Sequence, residues 1–346
     1  MGLAGLILVV NAGSTSLKLS VVAPDGGSER IGSLEEAPAG LDAVAHRVVH
    51  GGERFRDPVL VDPGVRTALA QLTELAPLHN RPALEAIDAA LAAFPGVPQV
   101  AVFDTAFHAT LPEIAFAYAV PRRWREEWGI RRYGFHGLSV AWAAERVPVR
   151  RLVVCHLGGG CSVTAVLDGR SVDTTMGFSP LEGVPMATRS GSIDPEIALH
   201  LLRTGRLGLE EIDQALERES GLIGLSGRSS RYEELERSDD PAARLALDVF
   251  AYRVAGAVAA MAAALAGLDA LVFTGGVAER SARARADVCG RLGFLGVRLD
   301  PGRNAAAGGP EDELAVEGAP VRVVALEARE DLVAARAARA VLSQGR

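Results

Sequence analysis

The sequence predicts an α/β protein built from two related domains, and three observations carry that reading. Apolar runs of strand character alternate with stretches of helical periodicity. A strand, glycine turn and strand near the start return near the middle of the chain. The length, 346 residues, is about two domains' worth of polypeptide.

The first hairpin is predicted over 6–22. Leu6 to Val10 form an apolar run, Asn11 to Ser16 a tight turn, and Leu17, Leu19 and Val21 alternate with polar neighbours. The second is predicted over 152–168: Leu152 to Cys155, a turn containing Gly158, Gly159 and Gly160, then Val163, Ala165 and Leu167. Each then reaches an Asp-Gly turn, at Asp25-Gly26 and Asp168-Gly169. The two copies share a pattern rather than residue identities, so geometry alone argues for duplication. Further strands are predicted at Val100–Phe103, ending in Asp104, and at Leu271–Thr274, ending in Gly275-Gly276. Helices are predicted at 81–93, at 195–204 behind the cap Asp194 with Pro195 in the first turn, and at 242–266 behind Asp240-Pro241. A last helix is predicted over 331–342, with apolar residues at 332, 333, 337, 341 and 342.

Composition narrows the function classes. A net charge of −7 argues against a nucleic-acid partner, which calls for a basic face. The apolar start has no basic region before it and no cleavage site after it, so it reads as a buried strand. The longest alanine-rich run, Val254–Leu268, is shorter than the ~20 residues of a membrane span, and no membrane association is expected. Three cysteines, Cys155, Cys161 and Cys289, fit a reducing cytoplasm rather than a disulfide framework. The Cys155-His156 pair followed by Cys161 lacks zinc-site spacing.

Glycines close three strand ends, where backbone N–H groups can converge on an oxyanion. No Walker A sequence and no GxGxxG after a strand is present, which disfavours a P-loop or dinucleotide fold. Charged residues also lie in apolar surroundings: His46-Arg47-Val48-Val49-His50-Gly51-Gly52-Glu53, Tyr133-Gly134-Phe135-His136-Gly137 and Thr188-Arg189-Ser190-Gly191-Ser192-Ile193-Asp194. An arginine so placed needs a ligand or a structural ion-pair partner, and the residues alone leave both open.

These segments, with Asn11-Ala-Gly-Ser-Thr-Ser-Leu-Lys18, Ala76-Pro-Leu-His-Asn80, Val102-Phe-Asp-Thr-Ala-Phe-His108 and Met176-Gly-Phe-Ser-Pro-Leu-Glu-Gly183, resemble the acetate kinases in identity and order from residue 7 to about 336. The resemblance implies the fold of the acetate and sugar kinase, heat-shock and actin superfamily: two duplicated ribonuclease H-like domains with a cleft between them. Residues 1–104 with 331–346 would form the N-terminal domain, on the acyl and phosphate side, and 105–330 the C-terminal, nucleotide-side domain. It implies that Asn11, Ser14, Ser16 and Lys18 form a phosphate-binding hairpin, with His156, Gly158, Gly160, Gly275 and Gly276 at the nucleotide phosphates. Arg47 and Arg189 would flank the reacting groups, His136 would donate to the transition state, and Asp104 would act near nucleophile and metal. Asn11 and Glu330 would hold Mg²⁺ or Mn²⁺, and Val49, Leu78, Phe135 and Pro180 would line the pocket for the acid's methyl group.

The implied activity is reversible phosphoryl transfer between ATP and acetate by a cytoplasmic homodimer. Propionate as acceptor, another nucleotide or pyrophosphate as donor, and a non-catalytic nucleotide-binding protein stay open as alternatives. Ala substitution of either arginine is expected to abolish most activity while leaving the fold in place. The nucleoside half departs from the family pattern. Gly159 stands for an Asn, Arg231 and Glu233 stand where Asp and Arg are usual, and Arg280 and Arg329 each stand for an Asn.

Overall fold

The computed structural model describes residues 5–12, 17–74 and 77–344, the side chains of residues 74 and 77–79 excepted. Two compact units divide the chain: 1–109, 135–142 and 329–346 form the first, 110–134 and 143–328 the second.

The first unit is organised by a six-stranded sheet of β1 (Ile7–Ala12), β2 (Leu17–Val22), β3 (Ser28–Ile31), β4 (Ala43–Val48), β5 (Val59–Leu60) and β6 (Gln99–Phe103). Its order is β3-β2-β1-β4-β6-β5; β1, β4 and β6 run parallel and the outer strands antiparallel. The second sheet contains β7 (Arg151–Leu157), β8 (Cys161–Leu167), β9 (Arg170–Thr174), β10 (Ala270–Thr274), β11 (Glu311–Glu313) and β12 (Arg322–Leu326). Read from β9 its order is β9-β8-β7-β10-β12-β11, with β7, β10 and β12 parallel and the rest antiparallel. Order and direction match strand for strand. The duplication suggested by the two hairpins is therefore a property of both whole sheets.

Period-two alternation explains what each face of the first sheet does. Ile7 and Val9 on β1, Ala43 and Ala45 on β4, and Val100 and Val102 on β6 share a core with Ala334, Ala335 and Ala338 of the helix Glu330–Gln344. Small alanines let that helix seat closely on the sheet, and Leu332, Val333, Val341 and Leu342 pack around them. The opposite face, with Leu8, Val10 and Val44, packs on Ala86 and Ala90 of the helix Pro77–Ala93. Continuing the first face by two residues past its apolar pairs gives Asn11, Arg47 and Asp104. The core face of three parallel strands thus turns polar at their carboxyl ends, where α/β sheets bind ligands.

In the second unit, the helix Pro241–Ala264 lies close to the 242–266 read from sequence, and its cap Asp240 accepts from Ala242 N. Its 24 residues and mean hydropathy of 1.5 suffice by length and composition to cross a membrane. It is a core helix instead: Ala243, Ala246, Leu247, Phe250, Val254 and Val258 are buried, whereas Arg244, Asp248 and Arg253 are exposed.

Two buried histidines in the first unit make a testable pH dependence. The His46 Nε2 atom lies 2.7 Å from Gln99 Oε1, and His108 Nε2 donates to the Phe135 carbonyl at 2.8 Å. Burial holds both imidazoles neutral, with pKa lowered to about 4. An unfolded histidine titrates near 6.5, so between pH 6.5 and 4 the unfolded chain takes up protons that the folded chain refuses. Their stabilisation is complete above pH 6.5 and lost as pH falls toward 4, about 2–3 kcal/mol per histidine. Urea-unfolding midpoints across that window should fall accordingly. His108→Gln, which keeps a donor and removes the titration, should flatten the slope; an unchanged slope would contradict the assignment.

Candidate active site

Three strands and one helix build a polar cluster in the first unit. Asn11 is paired in register with Lys18 on β2 and with Arg47 on β4, so the three form one row across the sheet. Arg47 donates to Asp104 through Nε at 3.0 and 3.1 Å and through Nη2 at 2.5 Å, and Nη1 donates to Asn11 Oδ1 at 2.9 Å. Asn11 Nδ2 then donates to Glu330 Oε2 at 3.2 Å, and Arg47 Nη1 lies 3.9 Å from the same oxygen. Lys18 itself is exposed at the end of the row.

The side chain of Asp104 is 1% exposed, against 15% and 17% for Arg47 and Glu330. Burial pushes the Asp104 carboxyl up, while the Arg47 guanidinium and the His136 backbone N–H work against that shift. Burial likewise opposes the Arg47 charge, but Asp104 and Glu330 more than offset it and hold the guanidinium ionised. Breaking one side of such a pair strands a buried charge at a cost of about 3–5 kcal/mol. Arg47 is therefore also part of the fold, which corrects the expectation that Arg47→Ala leaves folding intact.

The turn carrying His136 is tight. His136 has φ +58°, a conformation side chains rarely adopt. Gly137 N donates to the Asp104 carbonyl at 3.0 Å, and a β-carbon on Gly137 would stand 2.1 Å from that oxygen. Asp104 is thus gripped through its side chain and its main chain. Val49 and Phe135 are buried in this unit, and Phe135 meets the His50 ring edge-on at 5.4 Å. Asn80 fixes the backbone beside Val49: its Oδ1 accepts from His50 N and its Nδ2 donates to His50 O, both at 3.0 Å. Nothing in the sequence marks Asn80 for this role, since a clamp 30 residues away leaves no local signal.

The second unit gathers the other set. His156 pairs in register with Ser162 and Thr274, a row that repeats the Lys18, Asn11 and Arg47 row of the first sheet. A β-carbon on Gly158 would lie 3.7 Å from His156 Nε2 and 3.8 Å from Gly276 N, so the turns at Gly158–Gly160 and Gly275–Gly276 adjoin. Glu279 Oε1 accepts from Gly275 N and from Ala328 N, each at 2.9 Å, which pins the second turn. Ala187 N donates to the Gly159 carbonyl at 3.3 Å and ties on the segment that ends in Arg189. Arg189 Nε donates to Glu217 Oε2 at 2.9 Å, a partner that sequence reading missed. Pro180 is buried in the same unit. A cavity of about 730 Å³ opens beside Ser190, lined also by Arg132, Asp173, Glu182 and Arg253. Among the described residues, none of those expected at the site lines it.

Asn11, Arg47, Asp104, Glu330 and the His136 turn thus belong to one unit; Arg189, His156, Gly158, Gly160, Gly275, Gly276 and Pro180 belong to the other. Ser14, Ser16 and the Leu78 side chain lie outside the described residues. Among the departures, Arg231, Glu233 and Arg280 form one chain of ion pairs, whereas Arg329 pairs with Asp331 in the first unit.

Matching duplicated sheets with polar rows at their parallel-strand ends define an α/β chain of the acetate and sugar kinase, heat-shock and actin superfamily. The chain belongs to the acetokinase family, whose model matches residues 28–336. A relative from Deinococcus radiodurans named acetate kinase is 43% identical, over 95% of this chain and 96% of its own. Another of that name, from a Synechococcus strain, is 47% identical over 90% of this chain and 79% of its own. Among solved structures, an acetate kinase from Porphyromonas gingivalis superposes with a TM-score of 0.86 at 32% identity, covering 98% and 100% of the two chains. A propionate kinase from Francisella tularensis gives 0.88 at 34% identity, covering 96% and 98%.

Proposed function

We propose that the chain is an acetate kinase, transferring the terminal phosphoryl group of ATP to acetate to give acetyl phosphate and ADP, reversibly. The observation that carries this reading is the ionised Arg47, held by buried Asp104 and Asn11 at the ends of parallel strands, in a member of the acetokinase family. Acetate is already ionised at neutral pH and needs no general base. The work left is to bring two anions together and to spread the charge of the transferring group. Arginine suits that work because its planar fork matches carboxylate and phosphoryl oxygens. Arg47 and Arg189 supply the two forks, each aimed by its own carboxylate, Asp104 and Glu217. His136 supplies a further donor from its constrained turn.

The oxygen donors fit a small hard cation: Glu330 is a partly exposed carboxylate hydrogen-bonded to the Asn11 amide, and Mg²⁺ is commonly held by one or two carboxylates together with substrate phosphates. Mg²⁺ or Mn²⁺ held by Glu330 and Asn11 would neutralise charge on the donor's phosphate oxygens. The reading also takes in a homodimer and a cytoplasmic setting, the latter supported by three free, buried cysteines.

The resemblance to a propionate kinase makes propionate the second acceptor to test. A methyl cup formed by Val49, Leu78, Phe135 and Pro180 should favour acetate, then propionate, because one methylene there is worth only about 1–3 kcal/mol. Trapping the acyl phosphate as its hydroxamate with acetate, propionate and butyrate should give that order. Val49→Ala should shift the preference toward propionate; an unchanged acetate-to-propionate ratio would remove Val49 from the pocket.

A further inference from the structure

Two of the departures from the family pattern meet in space. Arg280 Nε donates to Glu233 Oε1 at 2.8 Å. Arg231 stands 3.6 Å from Glu233 and 3.2 Å from Glu234, so it shares the acidic charge of that helix. The far side of the Arg280 guanidinium covers Gly276: a β-carbon there would lie 3.0 Å from Nη2 and 3.5 Å from Cζ. This places the cation on the turn that adjoins His156 and Gly158.

An independent observation marks the same place. Thr274, the register partner of His156, is 1% exposed, and its Oγ1 is buried without a hydrogen-bond partner. A buried hydroxyl left in that state costs stability unless something supplies the bond. Guanidinium and backbone N–H can only donate, and hydroxyl and imidazole N–H can do so. A ligand that only accepts matches such a group. Phosphate oxygens do so, whereas a purine edge presents donors and acceptors together.

We propose that Arg280, aimed by Glu233, is a specificity-determining residue that binds the polyphosphate of the donor, so that the chain selects donors by their phosphates and tolerates changes in the nucleoside. The arginine usual at position 233 is thus replaced by a carboxylate that holds a cation on the turn of Gly276. This rests on the phosphotransfer reading above, and its test separates the two.

Initial rates with ATP, GTP, inosine triphosphate and inorganic tripolyphosphate at fixed acetate would be set beside calorimetric binding of tripolyphosphate alone. The parent should use the three nucleotides with similar kcat/KM. Arg280→Asn should raise KM about 10-fold or more for each of them alike, leave the KM for acetate unchanged, and weaken tripolyphosphate binding to the same degree. Arg280→Lys should recover part of the loss, and Glu233→Gln should show a smaller one. An unchanged donor KM in Arg280→Asn, an effect confined to the ratio of ATP to GTP, or a parent preference for ATP above roughly 50-fold would overturn the proposal. If no donor supports turnover but tripolyphosphate binding still depends on Arg280, the reaction reading falls and the phosphate assignment stands. Full turnover with tripolyphosphate binding indifferent to Arg280 has the opposite meaning.

Discussion

Arg47→Ala and Arg189→Ala should each lower kcat for acyl phosphate formation by about 10²-fold or more, the scale seen when a preorganised electrostatic donor is removed. They should differ in what they do to the fold. Arg189 and Glu217 are 16% and 12% exposed, so the orphaned Glu217 keeps some access to water. Arg47→Ala leaves Asp104 buried with its guanidinium partner gone, and about 3–5 kcal/mol of stability should go with it. Adding Asp104→Asn removes the stranded charge; the double variant should regain most of the stability and none of the rate. Thermal unfolding and kcat on the same samples test this. A folded Arg47→Ala or Arg189→Ala that loses less than a few-fold in rate would show that the arginine does not face the reaction.

Gly137→Ala should be nearly as damaging although it removes nothing. The added carbon would sit 2.1 Å from the Asp104 carbonyl oxygen and 3.0 Å from Phe107 Cβ. The oxygen is backbone, so either the turn or Asp104 must move, and overpacking of this kind costs about 1–3 kcal/mol or more. Because Asp104 aims Arg47, kcat should fall well below the parent's at temperatures where the variant is still folded. Gly159→Ala is the control: no atom lies within 4 Å of the added carbon, and its stability should stay within about 0.5 kcal/mol of the parent. A Gly137→Ala protein with the parent's unfolding temperature and rate would contradict the geometry.

Much of this was legible in the sequence because strand alternation and glycine turns are local. The hairpins over β1–β2 and β7–β8, the strand ending at Asp104 and the helix of the last residues all follow from such signals. What joins them is not local. Arg47 meets Asp104 because β4 and β6 pair in parallel with Val48 opposite Phe103, and no window of sequence states which strands pair. Glu330 reaches Asn11 across 319 positions only because its helix has alanines where the first sheet needs a thin cover. The long helix Pro241–Ala264, read over 242–266, was legible as well, because its cap Asp240 with Pro241 in the first turn is a local signal. Glu217 and Asn80 gave no signal because a carboxylate and an amide on helices look ordinary until the partner is seen. The departures divide for the same reason. Glu233 and Arg280 are 47 positions apart and bonded, whereas Arg329 turns to Asp331 two residues on.

The central claim is that a carboxylate oxygen of acetate becomes bonded to the terminal phosphorus of a nucleoside triphosphate as ADP leaves. Acetate labelled with ¹⁸O in both carboxyl oxygens, incubated with ATP and Mg²⁺ and followed by ³¹P NMR, tests it in one measurement. A new oxygen–phosphorus bond forms as the bond to the leaving ADP breaks, so acetyl phosphate should carry ¹⁸O in its carbon–oxygen–phosphorus bridge while ADP carries none. Label appearing in ADP, or no acyl phosphate from labelled acetate with any nucleotide, would contradict the account.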